Sequence, residues 1–305
     1  MPQKLQLHAL NRVLGSLDAA RNGHALYALL SSFCVAGLLL AAAESALART
    51  DIAWGGSWAA LALAVAFIGV NATGLLLMDQ AQGRPLRDVA DAFEDALRLA
   101  HRVLLSLAVV VLAGGLVVAA LLVLLWTTKL PWIGAPLLAA VVPVGVVVLG
   151  LMALGVVVLV GPLTGPSVWS GNSVISTVRM LRQQFRHGLL EAAMLMAAVL
   201  ALTGAVTAVI SFVVLSGGRA LSLLAVWLVG VDVPAQQLMA GLFGYGLRSI
   251  GAAGAAGAPA TGTPAGVAAL VGGGVVFALA LVLPTLIYLR GCCAVYLALQ
   301  DIDAP

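Results

Sequence analysis

Charge is what this sequence has least of. Asp, Glu, Lys and Arg together make up 9% of its 305 residues, against 62% hydrophobic ones. So few charges cannot give a globule of this length a polar surface, and a mean hydropathy of +1.12 makes the chain a polytopic membrane protein. A formal net charge of +3 is too small a surplus to hold nucleic acid, so the basic residues read as topology signals. Cysteine is equally sparse: Cys34, Cys292 and Cys293 lie in or beside apolar runs without CxxC spacing, which argues against a disulfide framework or a zinc site. HExxH, GxSxG and glycine-rich phosphate loops are missing too. No cofactor is expected.

What is present is a series of apolar runs separated by short charged stretches. The most charged of these, Leu86 to Arg102, puts Leu86, Val89, Phe93, Leu97 and Ala100 on one stripe of a helix, with Asp88, Asp91 and Asp95 opposite. Such a helix belongs flat on a membrane surface, apolar stripe down. Leu10, Val13, Leu14 and Leu17 form a shorter stripe of the same kind, and Val174, Val178, Leu181 and Phe185 form a third, with Arg179, Arg182, Gln183 and Arg186 on its wet face.

Six runs have the length of about 20 residues that a bilayer core requires. They are expected at about 25–43, 59–78, 103–126, 137–160, 189–215 and 267–289. The first is longer than a signal-peptide core and reads as an uncleaved span. Gly161-Pro162 with Gly165-Pro166 is expected to break the chain after the fourth run, and Pro284 to kink the sixth. Residues 217–266 fit least well. Leu221 to Val231 is too short to cross, so 219–247 reads as a re-entrant or surface-lying hairpin, the alternative being a crossing that would put the C-terminus outside, and Gly251 to Gly266 as a flexible loop.

The N-terminal segment, the two later amphipathic stretches and the C-terminal end carry 11 of the 15 basic residues, leaving Arg49, Lys129, Arg219 and Arg248 for the other side. By the positive-inside rule both termini are cytoplasmic, and Trp54, Trp58, Trp126 and Trp132 form an outer aromatic belt. A repeat accompanies this pattern. A surface helix followed by two spans occurs at roughly 1–80, 81–166 and 167–305, and each surface helix meets its first span through a histidine, in RNGHALYALL, RLAHRVLLSL and QFRHGLLEAA. The expected fold is therefore one all-α membrane domain over 1–305, with six transmembrane helices in three like-oriented hairpins, each preceded by an amphipathic surface helix.

Several groups could carry chemistry. Asp88-x-x-Asp91-x-x-x-Asp95 resembles the first aspartate-rich motif of intramembrane prenyltransferases, where such carboxylates hold Mg²⁺ on a diphosphate. Arg87 in place of the usual asparagine, the lack of a second such segment and the six-span count depart from that family. A solvated face laced by salt bridges is the reading adopted, with no metal site. Ser170-Gly171 resembles the serine motif of rhomboid proteases, but Val168 replaces a required glycine. His24, His101 and His187, with Arg98, Arg102 and Arg186, could form a cytoplasmic ring that senses pH or clasps an anionic head group, or could simply anchor the spans at the interface. Asn71 and Glu191 are the plausible intramembrane polar anchors.

The break after the fourth span, followed by SVISTVRMLRQQFRHGLL running into the fifth, resembles the membrane domain attached to some bacterial glycerophosphodiester phosphodiesterases and its stand-alone six-span relatives. That resemblance implies a bacterial inner-membrane module. It carries over neither the phosphodiesterase activity nor any site residue, because no soluble catalytic domain is present. The functional expectation is a non-enzymatic scaffold or accessory subunit that meets membrane lipids, a membrane-protein partner or another copy of itself through its cytoplasmic helices. A transporter or channel is the alternative, and an intramembrane enzyme with a Mg-dependent aspartate motif the third.

Overall fold

The computed structural model describes residues 13–85, 87–129, 134–229 and 264–303. The start of the first amphipathic stretch, Leu86, Trp132 and residues 230–263, which hold most of the expected hairpin and loop, lie outside them. Among the described residues every regular element is helical. A 3-10 turn, Gly15–Arg21, leads into α1 (Gly23–Ala48), followed by α2 (Ile52–Ala81), α3 (Val89–Thr127) and α4 (Gly134–Gly155). A π-helical turn, Val156–Val160, connects α4 to α5 (Gly161–Trp169). Next come α6 (Val174–His187), α7 (Leu189–Val229) and α8 (Pro264–Asp303). Among the described residues six segments are long and apolar enough to cross a membrane: Gly23–Ala43, Ile52–Ala81, Val89–Thr127, Gly134–Trp169, Leu189–Gly218 and Ala280–Asp301. The chain is an all-α, multi-pass membrane protein.

Helix starts follow the local chemistry. Asn22 caps α1 by accepting from the Ala25 amide at 3.1 Å, and Asp88 caps α3 by accepting from Val89 at 2.8 Å. Ser173 opens α6, its hydroxyl facing the Ser176 amide. Each fills an amide that the first turn leaves without a partner.

The boundaries differ from the sequence reading in three places. Residues 89–102 are no separate surface helix but the first part of α3, whose 39 residues extend about 58 Å, roughly twice the apolar thickness of a bilayer. The reason is composition: no Gly or Pro occurs between Val89 and Leu112, so the i→i+4 ladder continues. The Gly161-Pro162 and Gly165-Pro166 pairs do not break the chain. Proline lacks an N–H and its ring crowds the carbonyl four residues back, and the wider π turn just before Gly161 accommodates this, so the spanning segment runs on to Trp169. Leu221 to Val229 continues α7 rather than starting a new element, and α8 extends to Asp303 with Pro284 inside it.

The chain divides into two compact units. One comprises Met1–Ser16, Gly74–Val199 and Leu289–Pro305. Within it Trp169 occupies a slot between two glycines: a Cβ on Gly74 would stand 2.3 Å from the indole, and one on Gly165 2.7 Å. Gly291 lets α8 approach Val199 of α7 just as closely. Outward, α3 and α4 present Val111, Leu112, Leu116, Val146 and Val147. The other unit comprises Leu17–Thr73 and Leu200–Tyr288. There α1 and α2 meet where Ser32 sits over Gly69, and Ala25, Ala28 and Leu29 are fully buried. Trp54 and Trp58 stack, with ring centroids 6.5 Å apart.

Candidate functional site

The unit built on Gly74–Val199 and Leu289–Pro305 gathers polar side chains at three places. The first is an ion cluster across the link between α2 and α3. Arg87 grips Asp79 at both oxygens, with Nε at 2.6 Å from Oδ2 and Nη2 at 3.0 Å from Oδ1, and its Nη1 donates to Asp95 at 2.8 Å. The Asp79 side chain is 4% exposed, that of Arg87 28% and that of Asp95 40%. This cluster uses the planar fork that only arginine offers. The hydrogen bonds that Arg87 donates to Asp79 raise its pKa above the ordinary arginine value; the charges of Asp79 and Asp95 add to that, and partial burial opposes it. An isolated buried carboxylate at the end of a span is costly, so the cluster ties the link 82–88 to both helices.

The second place is the Tyr296 hydroxyl. Asn172 Nδ2 donates to it at 2.8 Å and Gln300 Nε2 at 2.6 Å. Those two bonds fill the acceptor capacity of the phenol, so its own proton goes to Ser170 Oγ, 2.9 Å away. Ser170 in turn donates to the Ser167 carbonyl at 2.7 Å. Ser167 Oγ lies 3.0 Å from Thr177 Oγ1 and accepts from Asn172 at 3.2 Å. The turn between α5 and α6, where Gly171 takes φ +99°, is thereby fastened to α8.

The third is α6 itself. Thr177, Leu181 and Gln184 face inward, and Arg179, Arg182, Arg186 and His187 are exposed. None of the three arginines has an ion-pair partner among the described residues. The cause is visible in the chain: no Asp or Glu occurs between Asp95 and Glu191.

The residues singled out by sequence fall on several elements. Of the three aspartates, Asp88 caps α3, Asp95 pairs with Arg87 and Asp91 stands exposed in the first turn. No three metal-ligating side chains converge among the described residues. Of the proposed ring, His101 and Arg102 are exposed on α3, Arg98 bonds Glu94 one turn back, and Arg186 and His187 end α6. His24 is exposed near the start of α1, in the other unit. Asn71 donates to the Phe67 carbonyl within its own helix, and Glu191 is exposed in the first turn of α7. Among the described residues Ser170 hydrogen-bonds with neither a histidine nor a carboxylate.

Two features were not anticipated. The Asp79–Arg87 pair had a signal: one acid directly after an apolar run, with a basic residue soon after it. The Tyr296 cluster had none, because Asn172 and Ser170 lie 124 and 126 residues from it in sequence. The chain matches no protein-family model, no curated protein and no solved structure.

Proposed function

We propose that this membrane protein is a non-enzymatic scaffold or accessory subunit of a bacterial inner membrane, with both termini in the cytosol, working through the basic surface that α6 and the charged start of α3 present. Kinship with the membrane domain of bacterial glycerophosphodiester phosphodiesterases is part of the same proposal and rests on residues 173–190. The observation that carries it is α6: an amphipathic helix set between two spanning segments, with three exposed arginines and no acidic residue. Such a surface is suited to meeting head groups or a partner protein.

The test is mild-detergent purification of the wild type and of a charge-reversed variant, R179E/R182E/R186E, followed by identification of what co-elutes. Reconstitution into vesicles for solute-flux measurements runs alongside. A companion lipid or protein lost on charge reversal, without solute flux in either case, supports the proposal. Selective flux through the wild type would replace it with the transporter reading.

A further inference from the structure

We infer that α6 is a binding surface for anionic phospholipid, with Arg179, Arg182 and Arg186 holding the phosphate groups. This rests on the scaffold reading above and commits it to one ligand. At about 100° per residue, α6 has three faces. Thr177, Leu181 and Gln184 form the inward seam. Val174, Val178 and Phe185 lie roughly 80° round from it, and Arg182, Arg186 and Arg179 come next, at roughly 140° to 200°.

The middle face adjoins the outer apolar surface. The Phe185 ring lies against the backbone of Gly155, where a Cβ would be 2.6 Å from it, and the next two residues, Val156 and Val157, are exposed. Phe185 itself remains 39% exposed. An apolar flank continuous with a lipid-facing helix puts the helix at the edge of the hydrocarbon. The adjoining arginines then reach the phosphate level, their aliphatic stems lying over the flank.

Charge complementarity selects the ligand. Among the described residues no carboxylate, Glu191 included, pairs with Arg179, Arg182 or Arg186, whereas Arg98 on α3 has Glu94 and Arg87 has Asp79 and Asp95. A zwitterionic head group brings its own cation; an anionic one leaves the phosphate to the arginines. Each arginine near an anionic surface contributes about fivefold in affinity.

The experiment uses the full chain in neutral detergent, with native mass spectrometry counting the retained phosphatidylglycerol or phosphatidylcholine. The wild type should retain phosphatidylglycerol over phosphatidylcholine by about tenfold or more. The preference should collapse at high salt, and an excess of soluble glycerol phosphate should not displace the lipid. R179Q/R182Q/R186Q should abolish it, while the charge-matched R49Q/R84Q/K129Q should keep it.

Equal retention of the two lipids by the wild type, displacement by soluble glycerol phosphate, or equal loss in both variants would overturn the inference. If the α6 variant fails to fold, the salt dependence and lipid preference of the wild type still decide. A protein that co-purifies without any lipid preference would leave the scaffold reading standing and remove this one.

Discussion

Arg87 shows how much one side chain can hold in a chain with so few charges. Its removal would strand the buried carboxylate of Asp79, so Arg87→Ala should destabilise the protein by about 3–5 kcal/mol, measured as thermal unfolding in detergent. Arg87→Lys keeps the charge but not the fork and should cost about 1–2 kcal/mol. Asp95→Ala, at the more exposed end of the cluster, should cost at most about 1 kcal/mol. Because the Arg87 pKa is raised, its contribution is complete below the ordinary arginine value and is lost only as pH rises through the higher folded value. Arg87 therefore stays charged throughout the working range, and its share of stability should not titrate there. Tyr296→Phe leaves the Asn172 and Gln300 amides without their common acceptor. It should cost about 1–3 kcal/mol and speed hydrogen exchange in the turn 170–173.

At the scale of elements, close helix approach depends on glycine. Gly74→Ala would drive a methyl group into the Trp169 indole, which is rigid and 7% exposed, at about 1–3 kcal/mol. Trp169→Leu should remove most of that penalty when combined with it, and a double-mutant cycle in detergent reads the coupling. The same residue type explains what could be read beforehand. The spans were legible because an apolar run of about 20 residues has few alternatives. Their ends were less so, since the three histidine junctions look alike and behave differently. Gly23 and Gly188 accompany the two junctions where a helix starts or ends, and RLAHRV, which has no glycine, runs straight through. For α3 the sequence marked a stripe to meet lipid, and Leu97 on it is 62% exposed; it did not mark the seam that packs, which is made of Ala92, Ala96, Val103 and Ser106. In lipid large apolar side chains gain little by turning inward, and small ones allow backbones to approach.

For the whole molecule the open question is which ends share a side of the membrane, and the arginines make a definite prediction. The link 82–88 and the α5–α6–α7 region carry Arg84, Arg87, Arg179, Arg182 and Arg186, whereas the opposite ends carry Arg49 and Lys129. With the first group cytosolic, Arg84→Cys and Arg182→Cys should react with a membrane-impermeant maleimide only in inverted vesicles, and Lys129→Cys only in intact cells. Cys34, the one exposed native cysteine, is replaced by alanine beforehand. Arg84 and Arg182 on opposite sides would mean that one of the intervening segments, Val89–Thr127 or Gly134–Trp169, does not cross. Asp301→Cys then decides the C-terminal end. Labelling on the Arg84 side means that the chain between α7 and α8 stays on one face, as the reading of 219–247 as a hairpin requires. Labelling on the Lys129 side adds a crossing there and puts the Tyr296 end of α8 across the membrane from Arg84. The hydrogen bonds of Ser170 and Asn172 to Tyr296 favour the first outcome, because they hold the end of α8 at the turn that leads into α6, whose arginines the positive-inside rule assigns to the cytosolic side.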